Sequence, residues 1–255
     1  MRLWSLALLA MASLACPPAR IATAPVVTKD QAATTLEAAE VAFSHRPDPG
    51  EVRRAVTLFQ SAAAADPSRT DGTIGVIRAV AWLIEHGVKE ERDSMVATAL
   101  DAGSQCQLRE PGSARCDYWE AVARGLGARE RPTTGLSELK PIVDLLRRAQ
   151  AAQPGLDEGG PSRVLALLLL RAPGWPLGPG DPEAGLAEAK KALELGPTHP
   201  LNQVAVAEAL AATGDVAGAK SAYERAKALG QQRAAGGDPD GTDWAAQAEA
   251  ALKKL

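Results

Sequence analysis

The sequence predicts an all-α chain, a solenoid of about five antiparallel helix pairs finished by a C-terminal capping helix. Three observations carry this reading. Hydrophobic residues make up 46% of the 255 positions and aromatic residues only 4%, so alanine and leucine supply the apolar fraction. That composition suits closely packed helices; a β-sandwich would want more Val, Ile, Tyr and Thr. Next, two small-residue patterns stand 34 residues apart, GDPEAGLAEAKKALELGP from Gly180 and GDVAGAKSAYERAKAL from Gly214. A period of this length marks helix pairs that bury a core only by stacking on their neighbours. Finally, a proline follows an alanine at an offset of five in Ala62/Pro67, Ala149/Pro154 and Ala192/Pro197, an internal recurrence of one register.

Residues 1–15, MRLWSLALLAMASLA, carry a positive Arg2 and an apolar run of twelve residues from Leu3 to Leu14. The run suits a signal-peptide core and is too short to span a bilayer. Cys16 follows directly, and residues 16–28 are Pro- and Ala-rich without helical period, which reads as a tether. The segment Ser13-Leu14-Ala15-Cys16 resembles a bacterial lipobox, with serine where leucine is usual; the resemblance implies that Cys16 is lipidated. Ordinary cleavage at the small-x-small site Ser13-x-Ala15 is the other reading. The remaining residues, 29–255, form the solenoid domain.

Helical pattern begins near Lys29 and runs through Leu36, Ala39, Ala42 and Phe43 to a break at Pro47-Asp48-Pro49-Gly50. The second helix carries Ala55, Phe59, Ala62 and Pro67. A third spans 69–86, with Ile74, Ile77, Val80 and Ile84 as its apolar face and Trp82 as core. The fourth covers 89–102, and 103–113 reads as a loop because its Gly, Ser, Gln and Pro interrupt the period. The fifth helix starts near Ala114, the sixth covers 136–152, and the seventh, 162–171, is apolar nearly all round and so central. The Pro- and Gly-rich stretch 173–180 is an insertion. Helices over 182–195, 201–212 and 216–229 follow. An amphipathic closing helix over 243–254 places Trp244, Ala248 and Leu252 on one face.

Several groupings bear on function. Cys106 and Cys116 are the even pair left once Cys16 is set aside, which favours a disulfide in an oxidising compartment; the rival, a pair of metal ligands, finds no His or third Cys nearby. Tyr118 and Trp119 with Trp175 are candidate partner or ligand contacts, Trp175 because no repeat packing demands an indole in a Pro-Gly loop. The turn Asp157-Glu-Gly-Gly-Pro-Ser-Arg163 has two readings: an anion site at a helix N-terminus served by Arg163, or an acidic cap whose Arg163 pairs with Asp157 or Glu158. His45, His86 and His199 are scattered, and no nucleophile elbow, phosphate loop or metal-ligand spacing occurs. The expectation is no catalytic residue, no metal and no cofactor. A net charge of −3 gives no electrostatic case for nucleic acid.

The quartet Ala55, Phe59, Ala62, Pro67 matches the Ala, aromatic, Ala and Pro of the tetratricopeptide repeat, and on it the chain resembles that superfamily, which implies a right-handed solenoid. The lipobox-like leader, Cys106 with Cys116-Asp-Tyr-Trp119, the turn 157–163 and Pro173-Gly-Trp-Pro together are similar to the T component of tripartite ATP-independent periplasmic (TRAP) transporters. This resemblance implies a non-enzymatic lipoprotein on the periplasmic side of a bacterial membrane, the outer membrane favoured, held by its lipid alone. It also implies a periplasmic solute-binding protein as partner, an apolar or organic-acid ligand, and a homo-oligomer. The alternative function is a structural scaffold for an envelope assembly with no small ligand. A closed apolar cavity beside Trp175 and the fifth to seventh helices would favour the first, a filled core the second.

Overall fold

The computed structural model describes residues 24–87 and 89–255. The expected leader, Cys16 and most of the tether lie outside them. Among the described residues there are eleven α-helices and no strand. They are α1 (Ala32–Ser44), α2 (Pro49–Ala65), α3 (Asp71–His86), α4 (Arg92–Arg109), α5 (Ala114–Glu130), α6 (Pro132–Ala152), α7 (Gly160–Arg171), α8 (Pro182–Leu195), α9 (Pro200–Ala212), α10 (Val216–Ala235) and α11 (Gly241–Leu252). The architecture is the expected all-α solenoid, five helix pairs and a closing helix. Among the described residues no helix is long and apolar enough to cross a membrane.

Helix starts follow from short polar caps. Asp48, Asp181 and Asp215 each accept a backbone N–H from the first turn of α2, α8 and α10, at 2.7, 3.0 and 2.8 Å. Proline at the first helical position of α2, α8 and α9 lacks only an N–H that the helix leaves unpaired anyway. The register read from the sequence faces inward. Ala55, Phe59 and Ala62 of α2, and Ala219, Tyr223 and Ala226 of α10, are all buried. Small residues there let the neighbouring helix come close: a Cβ on Gly75 of α3 would collide with the Phe59 ring.

Consecutive helices pack on one another throughout, and every substantial contact between alternate helices joins odd-numbered ones: α1 to α3, α3 to α5, α5 to α7, α7 to α9 and α9 to α11. Helices that also touch across an intervening neighbour lie on the inside of a curve. The odd helices therefore form the inner layer and the even helices the outer one. Among the described residues the apolar interior is three large clusters, spanning α1–α5, α5–α8 and α7–α11, and a small fourth of Ile74, Cys106 and Cys116.

Three sequence expectations need correcting. Residues 103–109 are helical, so α4 runs to Arg109 and the turn is only 110–113. The small residues Ala102, Gly103 and Cys106 face α5 instead of breaking the helix; a Cβ on Gly103 would lie 3.3 Å from Glu120 Cα. The 34-residue spacing separates only α8 from α10. Odd helices begin at 32, 71, 114, 160, 200 and 241, which are 39 to 46 residues apart, because α4 and α6 are long and the 173–180 segment is added. Several ends also differ: α6 begins at Pro132, α10 continues to Ala235 and α11 starts at Gly241.

Candidate functional site

The turn 157–163 is the most elaborate polar feature of the interior. Asp157, Glu158 and Gly159 take left-handed backbone angles in succession, with φ of 51°, 52° and 86°. Non-glycine residues hold such angles only where their surroundings fix them. Here they are fixed on every side. The Tyr118 hydroxyl on α5 donates to Asp157 Oδ2 at 2.6 Å, and Arg163 on α7 donates to the same oxygen. Arg163 also donates to Asn202 Oδ1 on α9 at 2.9 Å. The Asn202 amide nitrogen lies 2.8–2.9 Å from the carbonyl oxygens of Glu158, Ala192 and Gly196. Arg233 on α10 donates to the Glu158 carboxylate at 2.6 Å. A Cβ on Gly159 would meet Ala192 O at 2.8 Å, so glycine is required there for space as well as angle.

The electrostatics follow from burial. Desolvation, helped by the Asp157 carboxylate, pushes the Tyr118 phenol well above its ordinary range. His199, which caps α9 by accepting the Leu201 N–H at 3.2 Å, is pushed down to about 3 by burial and then by Arg163 and Arg233. Its ring lies 5.0 Å from that of Trp244 on α11. Arg163 thus pairs with Asp157, the second of the two readings of this turn, and its donors point into the chain. Tyr118 and Arg163 belong to a lock joining α5, α7, α9 and α10.

Trp119 is half-buried and touches all three of its surroundings: the α1–α5 cluster, the α5–α8 cluster and the disulfide. Cys106 and Cys116 are joined, with Cα atoms 5.4 Å apart. The bond staples the end of α4 to the start of α5. The pair Asp117–Arg148 reinforces the same corner, with Arg148 donating to both Asp117 oxygens at 2.9 and 2.7 Å.

Trp175 is 90% exposed and Leu177 71% exposed. Their loop is nevertheless pinned. Gly174 O accepts from Leu177 N at 3.0 Å, Gly180 N donates to Pro173 O at 2.9 Å, and Asp181 N donates to Leu169 O at 2.9 Å. A Cβ on Gly178 would lie 3.2 Å from Leu139 on α6, so the base of the loop packs on the solenoid. The structure therefore separates the four candidate contacts. Arg163 sits in the first turn of α7 and Trp175 beyond its last; eight helical residues, about 12 Å, separate Arg163 from the end of the helix.

The space between α5 and α7 is filled by Tyr118, Ala121, Ile142, Leu146, Leu165 and Leu169. A cleft of about 210 Å³ lies elsewhere, beside Lys29, Leu36, Ala63, Asp66, Arg69 and Asp71. Four of its charged groups pair, Lys29 with Asp66 at 3.8 Å and Arg69 with Asp71 at 2.8 Å. Among the described residues no three of His, Cys, Asp and Glu converge as metal ligands.

No protein-family model matches the sequence, and none of the curated proteins matches it. Solved structures do share the fold. A tetratricopeptide protein of Thermus thermophilus, TTC0263, superposes with a TM-score of 0.64 over 87% of this chain and 98% of its own, at 19% identity. PilF of Pseudomonas aeruginosa superposes with a TM-score of 0.54 over 89% of this chain and 93% of its own, at 16% identity. With its curved stack of helix pairs, the chain has the tetratricopeptide fold.

Proposed function

We propose that this chain is a non-enzymatic binding scaffold outside the cytosol, which docks a protein partner through the loop 173–180. The observation that carries this reading is Trp175, almost wholly exposed at the tip of a loop whose base is fixed. A loop pinned at its base gives up little backbone freedom on binding, and an indole has only two side-chain torsions to fix. Burying about 150–250 Å² of it contributes roughly 4–6 kcal/mol before association costs, enough for one anchor of an interface. Leu177 two residues on extends the apolar tip.

Further detail comes from the sequence resemblance. The partner is a periplasmic solute-binding protein of a TRAP-type uptake system. Cys16 carries the lipid that holds the domain to the periplasmic side of a bacterial membrane. The joined Cys106–Cys116 pair supports a place outside the cytosol, since reducing compartments keep such thiols free. The filled interior between α5 and α7 is the outcome that favours the alternative, a scaffold for an envelope assembly with no small ligand, so what is kept from the resemblance is the protein partner and not the ligand.

The test is a pull-down of the solute-binding protein with the lipid-anchored chain, beside the Trp175→Ala, Leu177→Ala double variant. The expected result is capture by the parent chain and its loss in the variant, with unchanged helical circular dichroism. No capture by the parent would overturn the partner assignment. Undiminished capture by the variant would move the contact off this loop.

A further inference from the structure

The closing helix does not end the fold as a free cap. Its first turn returns to the opening helix pairs, 194 residues earlier in the chain. Arg46, in the turn between α1 and α2, donates from Nε and Nη2 to the two carboxylate oxygens of Asp240 at 2.8 and 2.7 Å. Its Nη1 donates to Phe43 O at 2.7 Å, and the guanidinium lies 4.1 Å above the Phe43 ring. The two side chains are only 12% and 21% exposed. Three residues on, Asp243 lies 2.9 Å from His86 Nε2 at the end of α3. His86 Nδ1 faces Trp82 O at 2.9 Å, and its ring stacks on Trp82 at 4.2 Å. A neutral imidazole carries one N–H, so the ring makes both bonds fully only when protonated.

Among the described residues no apolar cluster joins these ends: α1–α3 and α11 belong to different ones. Repeats of a solenoid touch only their neighbours, so small rotations at each step accumulate and the two ends move most. A bidentate arginine already oriented on an aromatic face suits holding such ends in one geometry, because the planar fork matches the carboxylate.

We propose that Arg46–Asp240, with His86–Asp243 beside it, is a latch that closes the curved stack and sets how far its inner face opens. The inner face is the layer of odd-numbered helices, and it widens when the ends part. This inference stands apart from the loop 173–180, which lies between α7 and α8 and touches neither pair.

The test uses the full chain carrying Cys16→Ser, with His45→Cys and Thr242→Cys as label sites. Both positions are exposed and adjoin the latch, and the native cysteines stay in their disulfide. Inter-label distance is read by double electron–electron resonance. The parent is expected to give one short-distance population. Raising salt to about 1 M should by itself populate a long-distance form only slightly, because a pair so little exposed is screened far less than a surface pair. Asp240→Asn should raise that form about five- to thirty-fold. Asp240 caps no N–H of its own helix, so this change leaves the start of α11 intact. The exchange Arg46→Asp with Asp240→Arg should return the population toward the parent's. A short distance that persists in Asp240→Asn at high salt would overturn the latch. So would a parent that is already long.

Discussion

The clearest quantitative prediction concerns His199. Burial first, then the Arg163 and Arg233 guanidiniums, hold this imidazole neutral down to about pH 3, and its unprotonated Nδ1 caps α9. In the unfolded chain the ring titrates near its ordinary value of about 6.5. Between about pH 3 and 6.5 the unfolded state therefore binds a proton that the folded state does not. Stability is complete above that window and falls as the solution is acidified. From about pH 7.5 to pH 5 the loss amounts to about 2 kcal/mol, the 1.5 units between pH 5 and 6.5 at 1.36 kcal/mol each. His199→Asn keeps a side-chain acceptor for the Leu201 N–H and removes the titration. Urea unfolding at both pH values, parent against variant, isolates the effect because the other titrating groups are common to both. The variant should lose about 2 kcal/mol less than the parent on acidification. Losses that agree within about 0.5 kcal/mol would refute the buried, neutral cap.

Gly75→Ala should lower stability by about 1–3 kcal/mol, although helix propensity alone favours alanine, because the new methyl would stand inside the van der Waals envelope of the Phe59 ring; thermal unfolding gives the sign directly. Cys116→Ser should cost about 2–3 kcal/mol by opening the ten-residue Cys106–Cys116 link, and reductant should shift the parent's urea midpoint equally. Tyr118→Phe should cost about 1–2 kcal/mol, since it takes one donor from the Asp157 carboxylate inside the lock. Trp175→Ala should change unfolding by less than about 0.5 kcal/mol, its side chain being exposed, while weakening partner capture at least tenfold.

Legibility differed by feature for physical reasons. The starts of α8 and α10 could be read because aspartate caps and alanine stripes act within a few residues; Gly230, which reads as the close of α10, instead lies inside it against Ala245 of α11. The second half of α4 could not be read, since the residues that usually end helices there serve as the surface on which α5 lies. Gly103 meets the backbone of Glu120, a requirement that no local pattern displays. The repeat period misled because α8 and α9, which set the spacing from α8 to α10, are the compact pair with 14 and 13 residues; α6 alone has 21.

The polar lock was half visible. Its turn stood out, and Arg163 pairing with Asp157 was one of the two readings, but Asn202 and Arg233 lie 39 and 75 residues from their partners. In the sequence His199 is only one of three scattered histidines. Nothing nearby in the sequence announces the burial that shifts it. Trp175 was legible for the opposite reason: a large apolar residue amid proline and glycine has no packing role to hide it. The Arg46–Asp240 pair spans almost the whole chain and emerges only from the accumulated curvature of the stack.

The most direct measurement places a photoreactive amino acid at position 175 and, as a control, at Val216, which is 53% exposed on α10. Both chains are irradiated in cells and the adducts identified by mass. A solute-binding protein cross-linked from 175 and absent from 216 is the predicted result. No adduct at 175, or the same adducts from both positions, would contradict a partner docked on this loop.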